Sequence, residues 1–329
     1  MLRSRALVWL FAGACVTVAF AVMLGPRGAV SSFLPRNDVE SRIVTEVRLP
    51  RVTLGFLAGA ALATAGMAFQ SLFRNALATP YTLGVSSGAS LGAALYVYSG
   101  ITGSVAGIPG HAFAALAGAA GAIGLVYVIA YAAAGFSSST LLLAGVAVSF
   151  LFTSVILAVQ YVGDVTTSFR IGRWLLGGLE VVGFVPVMHV LPFALIGIGI
   201  LLAIPRELDL LVIGEESAAM RGVPVRAIKQ LVFAAASLMV GGVVATCGPI
   251  GFVGLVVPHI GRILLGPRHR TLGPFSVLAG GAFLVACDTV GRTVVAPIEI
   301  PVGIITALVG GPFFLAMLVQ GHARHRIRG

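Results

Sequence analysis

Charged residues are scarce in this chain. The 329 residues include 21 Lys and Arg and 11 Asp and Glu, so only 10% are charged, against about 25% in typical soluble domains. A soluble protein of this length needs more polar surface to cover its core. Hydrophobic residues make up 58% of the chain, which excludes disorder, because disordered chains are poor in such residues. The composition therefore predicts a polytopic membrane protein.

Several catalytic and binding motifs are also missing. The single lysine, Lys229, does not lie in a G-x-x-x-x-G-K-[ST] loop, so the sequence predicts no nucleotide site. The three cysteines lie far apart in apolar segments, and no H-E-x-x-H or G-x-S-x-G motif is present. We therefore expect no metal site, no cofactor bound by this chain and no enzymatic activity. The net charge of +10 does not indicate nucleic acid, because the arginines do not cluster with aromatic residues.

Ten apolar segments are candidates for membrane spans, since a span needs about 20 apolar residues. They cover residues 6–24, 51–73, 82–99, 112–134, 140–162, 184–204, 230–248, 250–265, 272–291 and 302–320. Residues 26–50 are predicted to form a polar, basic loop, and residues 163–183 an interfacial or re-entrant helix too short to span. The predicted architecture is a single all-α transmembrane domain over residues 1–329.

The distribution of basic residues predicts the orientation. Ten spans put both termini on one side, and with the N-terminus inside, 13 of the 21 lysines and arginines lie on the cytoplasmic side. Basic residues favour that side, so we expect both termini in the cytoplasm. The arginines that remain outside suggest an acidic partner there.

Charged residues mark two further features of the sequence. Asp288 lies within a span, and Arg292 follows one helical turn later, which predicts an intramembrane ion pair; a role in proton transfer is the alternative. Residues 205–229 are charged, and within them residues 214–222 form a short predicted helix bounded by glycines. This helix is either a solvated loop element or a docking site for a cytoplasmic motor.

Nine segments in order give the chain a resemblance to a known family. They are Arg-Leu-Pro-Arg at 48–51, then 70–80, 83–89, 141–147, Gly-Glu-Glu at 214–216, Gly-Pro-Ile-Gly-Phe-Val-Gly-Leu-Val-Val-Pro-His at 248–259, 288–292, 299–303 and 311–314. With these segments the chain resembles the FecCD-type permeases, the membrane subunits of ABC importers for iron–siderophores, haem and cobalamin. The resemblance runs from about residue 45 to 320. One departure is Ala76, where the family usually has proline.

The resemblance implies a cobalamin-importer-like permease fold of about ten helices in the bacterial inner membrane. It implies a second permease subunit, identical or closely homologous, two ABC ATPase subunits that use ATP and Mg²⁺, and a periplasmic substrate-binding protein. An iron chelate, siderophore or haem, is the first expectation for the substrate, and cobalamin is the alternative. An ion-coupled secondary transporter is the competing class, and it would need no ATPase.

The resemblance also assigns roles to individual positions. Arg48, Arg51 and Arg292 fall where the family receives acidic side chains of the binding protein. The predicted ATPase-coupling residues are Gly214, Glu215, Glu216, Ser217, Ala218, Arg221 and Gly222. The predicted cytoplasmic gate consists of Asn75, Leu77, Ser138 and Ser139.

Overall fold

A computed structural model describes residues 2–25, 28–29, 38–105, 108–134 and 137–326 of the chain. The described residues confirm the all-α prediction. The helices are α1 (Leu2–Met23), α2 (Asp38–Arg42), a π-helical segment (Ile43–Arg48), α3 (Leu49–Leu72), a 3-10 turn (Pro80–Leu83), α4 (Val85–Tyr98), α5 (Gly110–Ala134), α6 (Ser138–Val162), α7 (Val165–Leu175), α8 (Val185–Ala203), α9 (Pro205–Ile213), α10 (Glu215–Met220), α11 (Val225–Cys247), α12 (Val253–Leu265), α13 (His269–Thr293) and α14 (Val302–Arg326). Two short antiparallel pairs, β1 (Leu24–Gly25) with β2 (Gly28–Ala29) and β3 (Ser104–Val105) with β4 (Ile108–Pro109), lie in the connections.

Each of the ten predicted spans contains a helix. Among the described residues, six helical segments are long and apolar enough to cross a membrane by length and composition, the longest being Asp38–Leu72. Three shorter apolar helices, Trp9–Met23, Val253–Leu265 and Val302–Met317, accompany them. The chain is therefore a multi-pass membrane protein, as its composition predicted.

Helices α3 and α11 form the centre of the bundle. Nearly every residue of α3 from Pro50 onwards is buried, because its alanines and glycines let neighbouring helices approach closely. A methyl group at Gly59 would overlap the backbone of Gly280 in α13, and one at Gly66 would overlap Gly254 in α12. Helix α6, by contrast, exposes large apolar side chains such as Leu143 and Phe150, so it lies at the periphery of the bundle.

Several boundaries differ from the predictions. The loop predicted for residues 26–50 is wrong over residues 38–50, which are helical and form the start of the Asp38–Leu72 segment. Arg27 and Arg36 lie outside the described residues. The third span is shorter than predicted, because α4 begins only at Val85. Gly84, which precedes it, has a left-handed backbone conformation with φ 79° and is not part of the helix. Helix α11 begins at Val225, so Lys229 lies in a helix and not in the preceding loop.

The two limits of α3 define the two ends of the bundle. The Arg51 end is where α3 begins, and the Leu72 end is where α3 finishes. A rise of about 1.5 Å per residue separates Arg51 from Leu72 by about 32 Å. This separation matches the roughly 30 Å hydrocarbon core of a bilayer, so the two ends lie near opposite membrane surfaces.

Candidate functional site at the two ends of the bundle

The Arg51 end contains a buried cluster of two arginines and two carboxylates. Arg51 Nη2 lies 2.9 Å from Asp288 Oδ1, and Arg51 Nη1 lies 2.6 Å from Glu299 Oε2. Arg292 Nε lies 2.9 Å from Asp288 Oδ2, which is the contact that the four-residue spacing predicted. The cluster joins the start of α3 to the end of α13 and to the loop before α14.

Arg292 also reaches α1 and the chain that follows it. Its terminal nitrogens donate to the carbonyl oxygens of Ala21 and Leu24 at 3.3 and 3.2 Å and to Thr289 Oγ1 at 3.2 Å. The Nε–H group, although close to Asp288, is not aligned for a hydrogen bond. The contact with Asp288 is therefore mainly between opposite charges, and the hydrogen bonds of Arg292 go to α1 and to its own helix.

The three arginines predicted to receive the binding protein all have partners inside the chain. Arg51 is 8% exposed and Arg292 is 2% exposed. Arg48 is half-buried and donates to the carbonyl oxygens of Val22 and Met23 at 3.2 and 2.7 Å. These contacts favour a structural role for Arg51 and Arg292, and the docking role stays a prediction. Glu299 was missing from the predicted site, because its contact with Arg51 joins residues 248 positions apart.

A cleft opens beside this cluster. A cavity of about 360 Å³ is lined by His111, Arg170, Arg173, Trp174 and Glu180, together with smaller residues of α4, of the end of α11 and of neighbouring loops. A second cavity, of about 980 Å³, shares Arg173 and Glu180 and reaches Arg51 and Glu299. Arg173 pairs with Glu180 at 2.8 Å on an exposed surface. With Arg170 also exposed, the cleft carries more positive than negative charge.

Helix α7 supplies the two arginines of this cleft. Asp164 begins the helix by accepting a hydrogen bond from the Thr167 backbone N–H at 2.6 Å. Hydrogen bonding from the Thr167 side chain, together with this backbone bond, holds the pKa of the Asp164 carboxyl below its usual range. Ile171 faces the core, whereas Arg170 and Arg173 face outward. The predicted short helix of residues 163–183 is thus present, over Val165–Leu175.

At the Leu72 end, the structure brings the predicted gate segments together. Asn75 Oδ1 accepts from the Leu77 backbone N–H at 2.9 Å, which closes a tight turn just after α3. Asn75 and Leu77 are both exposed. Ser138 and Ser139, just before the predicted span 140–162, form the first turn of α6. The Ser138 hydroxyl lies 3.1 Å from the carbonyl oxygen of Leu72, so the start of α6 contacts the end of α3.

The predicted coupling residues form α10 and its flanks. The glycine boundaries of the predicted helix are present, with Gly214 at φ 152° and Gly222 at φ 81°. Ala218 is fully buried against Leu210, Leu211 and Val223. The exposed surface of this segment is made of Glu216, Ala219, Met220, Arg221 and Gly222, whereas Ser217 is half-buried. Glu215 faces inward, with its Oε1 2.9 Å from Lys229 Nζ and 3.1 Å from Ser138 Oγ.

A serine, a histidine and an aspartate are also aligned at this end. Ser71 Oγ lies 2.6 Å from His269 Nε2, and His269 Nδ1 lies 2.6 Å from Asp209 Oδ1. Ser71 and His269 are almost completely buried. A substrate therefore cannot reach the Ser71 hydroxyl, whereas the serine of a hydrolase is accessible to its substrate. We interpret the three residues as a structural link between α9, α13 and α3. Within the described ranges, no group of three His, Cys, Asp or Glu side chains is arranged to hold a metal ion.

This architecture, a polytopic helical bundle with polar networks at both ends, is that of a membrane permease. Residues 7–320 match the FecCD transport family. The chain therefore belongs to the FecCD transport family. The family consists of transport permease subunits, and membership implies that the chain works with an ATPase, a substrate-binding protein and a second permease subunit.

Individual relatives differ in the substrates for which they are named. The chain is 45% identical over 250 residues to the cobalamin import system permease protein BtuC of Halobacterium salinarum, covering 75% of this chain and 66% of that one. It is 36% identical to the Fe(3+)-citrate import system permease protein YfmD of Bacillus subtilis, covering 78% and 75% of the two chains. It is 35% identical to the hemin transport system permease protein HmuU of Yersinia pestis, covering 77% and 76%.

A solved structure shares the fold over nearly the full length. It is described as an inward-facing metal-chelate type ABC transporter, and it superposes with a TM-score of 0.87 at 28% identity. The superposition covers 96% of this chain and 99% of that one. The likeness confirms the predicted permease fold.

Proposed function

We propose that the chain is the membrane subunit of an ABC importer that carries an anionic iron chelate, a siderophore complex or haem, from the periplasm into the cytoplasm. The observation that supports this substrate is the positively charged cleft at the Arg51 end. Its two arginines, Arg170 and Arg173, outnumber the single carboxylate of Glu180. Guanidinium groups suit carboxylates and other oxyanions, because they donate two parallel hydrogen bonds.

The proposed assembly contains two permease subunits, two ATPase subunits and one periplasmic binding protein. The ATPases hydrolyse ATP with Mg²⁺, and this chain binds neither. The exposed apolar surface of α6, which includes Leu143, Phe150 and Leu157, needs cover from lipid or from the second permease subunit. The bundle alternates between outward and inward openings as the ATPases bind and release nucleotide.

The proposed orientation places the Arg51 end in the periplasm and both termini in the cytoplasm of a bacterial inner-membrane protein. The majority of basic residues on the Leu72 side supports this assignment. The binding protein then docks at the Arg51 end, around Arg48, Arg51 and Arg292. The ATPases dock on the exposed surface of residues 214–222, and the gate residues Asn75, Leu77, Ser138 and Ser139 close the pathway at the cytoplasmic side.

Substrate identity can be tested with the reconstituted complex. We expect ATP hydrolysis in proteoliposomes to rise most when the binding protein is loaded with a ferric siderophore or haem. The double variant Arg170→Gln/Arg173→Gln should lower uptake of that chelate by about 100-fold, since each of the two lost charge-assisted hydrogen bonds contributes about 1.5 kcal/mol or more and each 1.4 kcal/mol is a factor of about ten. Arg42→Gln is the matched control, because Arg42 is an exposed arginine outside the cleft. Equal uptake by all three proteins would refute a role for the cleft.

Cobalamin is the second candidate substrate. The observation in its favour is the 45% identity to a relative named as a cobalamin permease, which exceeds the 36% and 35% to relatives named for Fe(3+)-citrate and hemin. In the same experiment, ATP hydrolysis that rises only with the cobalamin-loaded binding protein would show that the substrate is cobalamin and not an iron chelate. Uptake driven by an ion gradient without any ATPase would refute ATP-driven import, which is the mechanism proposed for either substrate.

A further inference from the structure

Glu215 occupies a different position from the other acidic residue of the coupling segment (residues 214–222). Glu216 is exposed, whereas Glu215 turns toward the bundle, where its Oε1 accepts a hydrogen bond from Lys229 Nζ at 2.9 Å. The same oxygen lies 3.1 Å from Ser138 Oγ. Glu215 therefore connects three elements, α10, α11 and α6, through contacts of its Oε1 inside the chain.

The burial of Lys229 makes this connection hard to break. The side chain of Lys229 is 3% exposed, and that of Glu215 is 37% exposed. A buried ammonium group left without its partner is strongly destabilising, because it keeps its charge in a poorly solvating environment. Any displacement of Glu215 must therefore carry Lys229 with it or replace the ion pair by water. The pair holds the coupling segment to the first turns of α11.

Ser138 extends the connection to the last residue of α3. Its hydroxyl lies 3.1 Å from Glu215 Oε1 and 3.1 Å from the Leu72 carbonyl oxygen. A hydroxyl has one hydrogen to donate, so it is shared or exchanged between these two acceptors. The carbonyl groups in the last turn of a helix have no partner within the helix. Ser138 thus links the coupling segment to the end of α3, just before the turn made by Asn75 and Leu77.

A second link reaches the same turn of α3 from α9. Asp209 accepts from both the backbone N–H and Nδ1 of His269, at 2.9 and 2.6 Å, and His269 Nε2 lies 2.6 Å from Ser71 Oγ. Ser71 and Leu72 are adjacent residues. The segments on both sides of Gly214 are therefore attached to one turn of α3, and Gly214 at φ 152° lies between the two attachments.

We propose that Glu215 is a positioning residue that, through Lys229 and Ser138, delivers displacement of the coupling segment to the gate turn at Asn75 and Leu77. The inference rests on the proposed function. The coupling segment thus has an exposed part and an inward part, with separate roles. The exposed residues, such as Glu216, Met220 and Arg221, meet the ATPase, and the inward Glu215 passes the movement on.

The test uses the full complex of permease and ATPase with a reporter in the gate turn. Leu77→Cys, introduced together with Cys15→Ser, reports gate movement as the maleimide labelling rate with and without ATP. The reporter needs no transported substrate. Glu215→Gln is compared with Glu207→Gln, an acid on the neighbouring α9 with no assigned role. Ser138→Ala is compared with Ser154→Ala, whose hydroxyl bonds only within α6. Ser138→Ala leaves the Glu215–Lys229 pair in place, so it covers the case in which Glu215→Gln fails to fold.

We expect both test variants to retain the ATPase on size-exclusion chromatography and to hydrolyse ATP, but to lose the ATP-dependent change in labelling. Uptake per ATP should fall by about tenfold, the factor that a hydrogen bond to a charged group contributes to an equilibrium. The two control variants should behave like the parent protein. The proposal is overturned if the labelling change persists in both test variants, or if Glu215→Gln releases the ATPase. If no chelate is transported but the labelling results hold, the substrate assignment fails and the linkage stands.

Discussion

At the scale of single residues, Arg51 is the side chain on which the two carboxylates of the Arg51 end converge. It is bonded to Asp288 and to Glu299, and it is 8% exposed. Removal of Arg51 leaves Asp288 with Arg292 alone and Glu299 without its arginine, and breaking a buried ion pair is strongly destabilising. We expect Arg51→Met to lower the free energy of unfolding by about 3–5 kcal/mol, which thermal unfolding of the purified protein in detergent would measure as a lower midpoint.

Arg42→Gln is the control for this prediction. Arg42 pairs with Glu46 at 3.3 Å, but both side chains are largely exposed, and such pairs contribute at most about 1 kcal/mol. The midpoint of this variant should stay close to that of the parent. A stable Arg51→Met protein that fails to bind the binding protein would contradict the structural role and support direct docking by Arg51.

Contacts between residues one helical turn apart could be predicted, whereas contacts between distant segments could not. The pair of Asp288 with Arg292 followed from the four-residue spacing. The partners of Arg51 lie 237 and 248 positions away, and only tertiary packing brings them together. Lys229 illustrates the same limit. A single lysine at a segment boundary looks like a loop residue, and nothing local indicates that it is buried beside Glu215.

At the scale of helices, the closest contacts are made by glycines. Gly66 of α3 touches the backbone of Gly254 in α12, so a Cβ atom there would overlap backbone atoms that cannot turn away. Overpacking of a core costs about 1–3 kcal/mol even where side chains can adjust. We expect Gly66→Ala to lower the free energy of unfolding by at least about 3 kcal/mol, measured again by thermal unfolding in detergent.

Gly121→Ala is the matched control in another helix. A Cβ atom at Gly121, within α5, would meet nothing within 4 Å. Alanine is favoured over glycine in a helix interior by about 0.5–1 kcal/mol, so this variant should unfold at the same or a higher temperature. If Gly66→Ala unfolded no earlier than Gly121→Ala, the contact between α3 and α12 would be looser than the structure shows.

Helices were predicted more reliably than their ends. Long apolar segments such as 112–134 and 140–162 correspond closely to α5 and α6, because the length of the apolar run and the length of the helix have the same origin in the bilayer. The start of the Asp38–Leu72 helix and helix α9 were not predicted, because both contain polar residues that interrupt the apolar pattern. Both are helices that hydrophobicity does not mark, since they lie at the ends of the bundle where charged side chains are tolerated.

For the whole molecule, the few charged residues explain how the two ends are organised. The ion pairs of the Arg51 end are largely buried and join α3 to α13. At the Leu72 end, Glu215 and Ser138 connect the coupling segment to the last residue of α3, and Asp209 and His269 connect α9 to Ser71 of α3. Helix α3 takes part in both networks. Because α3 lies at the centre of the bundle, it connects the two ends. The orientation of the chain in the membrane decides which network faces the binding protein and which faces the ATPase.

The orientation of the chain in the membrane can be measured by labelling from one side. Val165, just after α6, and Met220, in α10, are both highly exposed and lie toward the Arg51 and Leu72 ends. In a Cys15→Ser background, whose other cysteines are buried, a membrane-impermeant maleimide should label Val165→Cys on intact spheroplasts and Met220→Cys only on inverted vesicles. The expectation follows from the excess of arginine on the Leu72 side. The reverse pattern would place the coupling segment outside, where no ATP is available, and would refute the importer assignment of both ends.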